Sequence, residues 1–169
     1  MKKCPRCGAE LEDSAKVCPK CNEKLVVTSD FVKRIEALND TPDSSDEYTH
    51  DEIEKNKILA LFSYIGLLIL IPVFAAKDSK YAKYHIGQGL ILLIFGLIVY
   101  AVTAIIGAAA SLTAGIVGGN LGALIALPLN LLGTLVGLVP LPFMIIGIIN
   151  AVTGKAKELP IIGKYKILK

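Results

Sequence analysis

The chain has 169 residues, of which 53% are hydrophobic and 20% are charged, and the charges are unevenly distributed. Residues 1–57 hold ten Lys or Arg and thirteen Asp or Glu, a net charge of −3, whereas residues 58–169 hold eight Lys and two acids, a net charge of +6. Residues 86–152 form one stretch without a single charged side chain. A soluble domain of this size could not bury so much apolar chain, so the composition excludes a wholly soluble protein and predicts an integral membrane protein.

The first 21 residues contain all four cysteines, in the pairs Cys4-Pro5-Arg6-Cys7 and Cys18-Pro19-Lys20-Cys21. Two Cys-x-x-Cys pairs ten residues apart can supply four thiolates to one tetrahedral zinc ion. Two disulfides or a redox Cys-x-x-Cys are weaker alternatives, because no βαβ pattern surrounds the pairs. We therefore predict that Cys4, Cys7, Cys18 and Cys21 bind zinc. The site should be structural, since four protein ligands leave no position for a reactive water.

A module of about 25 residues cannot fold on apolar burial alone, so zinc should supply most of its folding energy, about 10 to 16 kcal/mol. Gly8 and Asn22 follow the second cysteine of each pair, where a turn with positive φ is expected. Residues 9–11 are predicted to pair with residues 16–18, and residues 25–27 could add a third strand. These features resemble the zinc-ribbon module at the N-terminus of many prokaryotic membrane proteins. That resemblance implies an interaction or sensing arm without known catalysis.

The stretch between the ribbon and the membrane part reads as a helix followed by a tether. Residues 30–39 have a short amphipathic pattern whose apolar face could dock on the ribbon, on the membrane or on a partner. Residues 40–54 hold seven acids and no Lys or Arg, which predicts a mobile tether. Thr49 and Glu52 have capping-box spacing and predict that a helix starts there. No apolar core follows Met1-Lys2-Lys3, so we expect this arm to stay in the cytoplasm.

The predicted domains are therefore a zinc ribbon (1–28), a short amphipathic helix with an acidic linker (29–53) and a multi-span membrane domain (54–169). The fold class is an all-α polytopic membrane helical bundle of about four spans with a small N-terminal β zinc ribbon. The spans are expected at 58–76, 86–108, 112–127 and 131–152, although residues 109–152 could instead hold a Gly-rich loop and one span. Reduced cysteines favour a cytoplasmic N-terminus, and the basic tail favours a cytoplasmic C-terminus. Two ends on the same side require an even number of spans. The loop with Lys77, Lys80 and Lys83 opposes this count, because it would then face outward.

His85 and Gln88 are the best candidates for a polar site in the membrane domain, since a spacing of three residues puts them on one helix face. They could bind a lipid headgroup, a peptide or a partner helix, or they could belong to an interfacial belt with Tyr81 and Tyr84. No charged residue lies within a predicted span, which argues against a proton relay or an active transporter. Asn130 and Asn150 are expected to bond between helices. We predict that the chain is not an enzyme.

Residues 54–60, 71–89, 147–151 and 154–164 together resemble a family of small bacterial and archaeal membrane proteins of unknown function. That family is in turn distantly similar to the chloroplast inner-envelope protein-import subunit (Tic-twenty-like), a four-span protein. The resemblance covers residues 54–169 and implies four spans and a role near protein translocation or membrane-protein assembly.

From these patterns we expect a membrane-anchored zinc-ribbon adaptor or scaffold in the cell membrane, multi-pass, with its ribbon in the cytoplasm. The alternative is a passive channel or carrier with the ribbon as a sensor arm. The partners expected for the chain are the lipid bilayer, a protein bound through the ribbon and a second copy of the chain in a homo-oligomer. Nucleic acid is not expected, because the arm is net acidic.

Overall fold

The computed structural model describes residues 2–4, 7–12, 15–22 and 39–165. At its N-terminal end, strand β1 (Lys2–Lys3) pairs antiparallel with strand β2 (Glu10–Leu11), and Lys2 lies opposite Leu11. The predicted pairing of residues 9–11 with residues 16–18 is wrong for the described residues. The first Cys-x-x-Cys turn itself folds the chain back, because the Cys4 backbone N–H donates to the Ala9 carbonyl at 2.8 Å. The predicted third strand (25–27) and all but the last residue of the predicted amphipathic helix (30–39) lie outside the described residues.

The rest of the described chain is mostly helical. Its helices are α1 (His50–Phe62), α2 (Leu70–Ala75), α3 (Lys80–Val117), α4 (Gly119–Gly137) and α5 (Pro140–Val152). A 3-10 turn, Gly66–Ile69, leads into α2, and another, Ser45–Glu47, precedes α1. Helix α1 begins where the sequence predicts, because the Thr49 hydroxyl accepts from the Glu52 backbone N–H at 3.4 Å.

Two helical stretches are long and apolar enough to cross a membrane, Lys80–Val117 and Gly119–Thr153. They meet at a tight turn in which Gly118 and Gly119 both have positive φ, 66° and 53°. A Cβ atom on Gly122 would lie 2.7 Å from the Ala114 carbonyl oxygen, so glycine there allows the two helices to approach closely. Residues 93–139 thus form an antiparallel helical arm that we call the hairpin.

The hairpin differs from the predicted spans in its boundaries. The second predicted span, 86–108, is the middle of one 38-residue helix that continues to Val117. The third, 112–127, contains the turn at Gly118, and the fourth, 131–152, contains the turn at Leu138 and Val139. These boundaries were missed because an uncharged Gly-rich sequence carries no signal for which glycine ends a helix. The count of four spans is not confirmed.

The first predicted span, 58–76, is not one helix either. Helix α1 ends at Phe62, and the short apolar segment Gly66–Ala75 then runs back along α3. The Glu52 carboxylate, in the first turn of α1, accepts from the Ser79 hydroxyl at 2.9 Å. Residues 53–78 therefore leave and return to the same end of the molecule.

The half of the molecule at that end, which we call the base, comprises residues 39–64, 76–92 and 147–165. Its interior contains the side chains of α1, α3 and α5 together with the C-terminal loop; the fully or nearly buried hydrophobic members are Ala60, Tyr64, Tyr81, Leu92, Ala151, Ala156 and Leu159. Close approach is again set by glycine, because a Cβ on Gly147 would lie 2.3 Å from the Tyr64 ring.

The acidic segment before α1 is part of the base. Its residues 41–45 run antiparallel to residues 156–158, with the Ser44 N–H donating to the Ala156 carbonyl at 3.0 Å and the Glu158 N–H donating to the Pro42 carbonyl at 3.2 Å. The expectation of a mobile tether over residues 40–54 is wrong, because residues 42–44 pair with residues 156–158 and residues 50–54 belong to α1. Acidic composition prevents a segment from building its own core, but this segment pairs its backbone groups with another part of the chain.

Candidate metal centre and buried histidine

The two cysteine pairs adopt the same turn. In each, the residue after the second cysteine donates its backbone N–H to the carbonyl of the first cysteine, Gly8 to Cys4 at 2.9 Å and Asn22 to Cys18 at 2.8 Å. Gly8 has φ 70° and Asn22 has φ 57°, which confirms the positive φ expected at both positions. Each turn directs two sulfur atoms toward the same point between the two turns.

The four sulfur atoms lie within 4.8 Å of one another. Cys4 Sγ is 3.5 Å from Cys21 Sγ, and Cys7 Sγ is 3.6 Å from Cys18 Sγ. A regular tetrahedron with Zn–S bonds of about 2.3 Å has S–S edges of about 3.8 Å, so the cluster has the size that zinc requires. All four cysteines are described, and no disulfide joins any two of them. The residues present therefore fit a zinc site with four cysteine ligands.

The electrostatics of Cys18 suit a metal ligand. Burial raises the pKa of its thiol. Hydrogen bonds from the backbone of Cys21 and Lys20, together with contacts to the Cys21 and Cys7 sulfurs, lower the pKa by more than burial raises it. The pKa falls to about 6 from an ordinary value of 9.0, so the thiolate predominates at neutral pH. The thiolate is the form that binds zinc.

Comparison with known proteins agrees with this geometry. Residues 3–25 match the zinc-ribbon domain. The zinc ribbon and zinc as its metal, both predicted from the cysteine spacing, are thus confirmed. No curated protein and no solved structure matches the chain. The resemblance of residues 54–169 to the small membrane-protein family and to the chloroplast import subunit therefore has no support from these comparisons.

His85 lies at the centre of the base and is completely buried. Its Nδ1 is 2.8 Å from the Tyr64 hydroxyl. Three tyrosine rings surround the imidazole edge to face, with centroid distances of 4.6 Å to Tyr81, 5.7 Å to Tyr64 and 5.5 Å to Tyr84. The Tyr81 hydroxyl donates to the Ala151 carbonyl at 3.0 Å. Of the two tyrosines of the predicted interfacial belt, Tyr81 is fully buried and Tyr84 is partly buried, and the rings of both contact His85.

Gln88 is buried one helical turn beyond His85 and has separate partners. Its Nε2 donates to the Gly163 carbonyl at 3.1 Å, and its Oε1 accepts from the Leu159 N–H at 3.0 Å. The amide therefore holds both ends of the loop 159–163 against α3. His85 and Gln88 face different elements, and a shared role in binding a headgroup or a partner helix stays a prediction.

Two further polar contacts of the base were not expected from sequence. The buried Asn39 donates from Nδ2 to Asn150 Oδ1 at 3.3 Å, so Asn150 contacts the segment before α1 rather than another helix. The Glu52 carboxylate accepts from the Tyr81 backbone N–H at 2.9 Å as well as from Ser79, and so caps the N-terminus of α3. Sequence gives no signal for either pair, since the partners are 111 and 29 residues apart.

Proposed function

We propose that the chain is a membrane-anchored zinc-ribbon adaptor: the base and hairpin hold it at a bilayer, and the ribbon recruits a protein partner. The observation that carries the proposal is a cluster of four cysteines, sized for one zinc ion, on the same chain as a long apolar hairpin. Four cysteine ligands leave zinc no open position, so the metal would hold a binding surface in shape and would perform no reaction. That the chain is not an enzyme remains part of this proposal.

The hairpin supports insertion into a membrane. Large apolar side chains point outward along both helices, and Leu97, Ile105, Ile116 and Leu124 are each at least 60% exposed. Contiguous apolar surface of this extent is rare on soluble monomers and marks a membrane or partner interface. Helix α3 is about 57 Å long, and residues 93–117 alone cover about 37 Å, more than the hydrocarbon core of about 30 Å.

The positions of the lysines support an orientation. Lys77, Lys80 and Lys83 belong to the end of the molecule that also carries Lys155 and Lys157, because residues 76–92 and 147–165 are both parts of the base. If only the hairpin crosses, all these lysines lie on one side, which the positive-inside rule assigns to the cytoplasm. The loop with Lys77, Lys80 and Lys83 then faces the cytoplasm, so the conflict that it creates with four spans does not arise. We therefore propose two crossings with the base and the ribbon in the cytoplasm.

The role in protein translocation or membrane-protein assembly rests on the resemblance of residues 54–169 alone, and it is proposed here as an analogy. The partner surface is assigned to the ribbon because its folding depends on metal and because Val17, next to Cys18, is 43% exposed. An exposed apolar side chain beside a rigid metal cluster is a suitable anchor for a protein contact.

The test is site-specific photo-crosslinking in cells from position 17 of the full chain. The proposal predicts a crosslinked protein that disappears in a Cys4→Ser variant, which breaks the ribbon, and persists in a Tyr165→Phe variant, which leaves it intact. Identification of the same protein by mass spectrometry in repeated captures would support the adaptor function. No ribbon-dependent crosslink in the presence of normal membrane insertion would contradict it.

A second candidate, a passive channel or carrier, is favoured by one observation. A groove of about 290 Å³ on the mostly apolar hairpin carries three polar side chains, Thr103, Asn130 and Thr134. The two threonine hydroxyls donate to carbonyls of their own helices, and Asn130 is exposed. Several copies with these grooves facing inward would form a polar path. Flux of small solutes into vesicles containing the purified chain, reduced in an Asn130→Leu variant, would support this function, and sealed vesicles would exclude it.

A further inference from the structure

A cleft separates the short apolar segment Gly66–Ala75 from helix α3. Its volume is about 530 Å³, within the usual range of small-molecule sites. The walls are aliphatic, with Leu70 and Val73 on one side and Ile86, Leu90 and Leu93 on the other. The cleft is therefore suited to a flexible hydrocarbon group.

Two cations stand at one end of this cleft. Lys77 and Lys83 both line it, and both are exposed. The Lys77 ammonium also lies 5.7 Å from the centroid of the Phe74 ring, a cation–π distance. Among the residues that the structure describes, neither lysine forms an ion pair with a carboxylate. The mouth of the cleft therefore has two lysines that form no salt bridge with a described acid, although Asp78 is next to Lys77 in the chain.

We propose that this cleft binds one anionic lipid, with an acyl chain between the short apolar segment and α3 and the phosphate at Lys77 and Lys83. An apolar floor with cations at one end matches the charge and shape of a lipid of the cytoplasmic leaflet. A soluble anion would use the lysines and leave the aliphatic walls exposed, and a second copy of the chain would meet like charge at the same lysines. The inference rests on the proposed membrane insertion and is distinct from the ribbon's partner.

The experiment uses the full chain in neutral detergent and counts bound phosphatidylglycerol and phosphatidylcholine by native mass spectrometry. Phosphatidylglycerol should bind preferentially. Each of the variants Lys77→Ala and Lys83→Ala should weaken that binding roughly fivefold, and the double variant more. Lys80→Ala is the matched control, since Lys80 is exposed on the same turn and does not line the cleft. Equal weakening by all three lysine variants would overturn the proposal, because it would indicate general surface charge.

A second arm separates the cleft from the cations. Val73→Trp should fill the cleft while both lysines remain, and it should abolish the preference for phosphatidylglycerol. Glycerol 1-phosphate, a soluble glycerol phosphate without acyl chains, should not compete. Full competition by glycerol 1-phosphate, or unchanged lipid binding in Val73→Trp, would overturn the lipid site. Flotation of the same variants with phosphatidylcholine vesicles tests membrane insertion separately, since failure there would contradict the anchor itself rather than the cleft.

Discussion

The Tyr64 hydroxyl lies 2.8 Å from Nδ1 of His85, and both side chains are buried at the point where α1, α3 and α5 meet. Tyr64 is also in close contact with Gly147 of α5, so one side chain links three helices. A hydrogen bond in such surroundings matters mainly through what its removal leaves behind, an imidazole nitrogen without a partner.

Replacing Tyr64 by Phe should therefore destabilise the base. The ring and its packing remain, but His85 Nδ1 loses its partner, and the expected loss is about 1–3 kcal/mol in the free energy of unfolding. Denaturant unfolding of the full chain in neutral detergent measures it. Tyr165→Phe is the control, since Tyr165 is 72% exposed and should change stability little. Equal stability of the two variants would contradict a structural role for the Tyr64–His85 contact.

Gly89 should not tolerate even one added methyl group. A Cβ atom there would lie 2.0 Å from the Ser63 backbone carbonyl oxygen, and backbone cannot move aside as a flexible side chain can. Gly89→Ala should therefore separate α1 from α3 and cost about 3 kcal/mol, the upper part of the range for overpacking. The measurement is the midpoint of thermal unfolding.

The control for that substitution is Gly96→Ala, seven residues further along the same helix. No atom lies within 4 Å of its added Cβ, so the variant should gain up to about 1 kcal/mol from better helix propensity. If both variants shift the midpoint in the same direction, close contact at Gly89 is not the cause.

The sequence predicted the metal site well and the helical part only coarsely. Cys-x-x-Cys spacing is a local signal tied to the coordination of one ion, so all four ligands and the turns at Gly8 and Asn22 could be read directly. Hydropathy measures only whether a stretch is apolar. It could not reveal that the chain turns back at Gly66 or that α3 continues to Val117. The order of residues 39–49 depends on partners more than 100 residues away, such as Asn150 for Asn39, for which one sequence has no signal.

Removal of zinc should unfold the ribbon and leave the base intact. The buried hydrophobic residues that the structure describes in the ribbon are Cys4, Leu11 and Cys18, too few to hold it together without metal. Chelation, or Cys18→Ser, should make the first 22 residues sensitive to protease, while residues 39–165 stay protected. Limited proteolysis followed by mass spectrometry gives the readout, together with one zinc ion per chain before treatment. A ribbon that stays protected without metal would contradict this prediction.

Acidification should weaken the junction between α1 and α3. The hydrogen bond from the Tyr81 backbone N–H lowers the pKa of Glu52, and burial of the carboxyl raises it by less. The Ser79 hydroxyl and Lys80 also lower this pKa. Because the folded pKa lies below the ordinary value of 4.5, this carboxylate stabilises the fold above that pH, and its contribution is lost as pH falls through the folded pKa. The stability difference between the wild type and Glu52→Gln should be constant from neutral pH to about pH 5 and shrink at lower pH.

The matched variant for this pH series is Glu54→Gln. Glu54 pairs with Lys57 at 2.7 Å on the surface of the same helix, and an exposed pair of this kind contributes about 0.5 kcal/mol or less. Glu54→Gln should change stability only slightly between pH 7 and pH 3. A larger loss in Glu54→Gln than in Glu52→Gln would contradict the role assigned to Glu52 as the cap of α3.

The number of crossings can be decided with single cysteines in a background that lacks the native four. The contact between Glu52 and Ser79 returns the chain to its starting end, and Gln88 holds Gly163 at that same end. With only the hairpin in the membrane, Asp78→Cys and Tyr165→Cys should react with an impermeant maleimide from one side. Asn120→Cys, next to the turn of the hairpin, should react from the other side.

Four crossings at the positions expected from hydropathy give a different pattern. Asp78→Cys would then react from the side opposite Tyr165→Cys, and Asn120→Cys, inside a predicted span, would be protected until the membrane is dissolved. The two patterns differ in whether positions 78 and 165 are labelled from the same side or from opposite sides, so this pair of positions distinguishes them. Labelling at Asp78 from the side opposite Tyr165 would show that residues 53–78 cross the bilayer, and it would separate Glu52 from Ser79 by the full hydrocarbon core of about 30 Å.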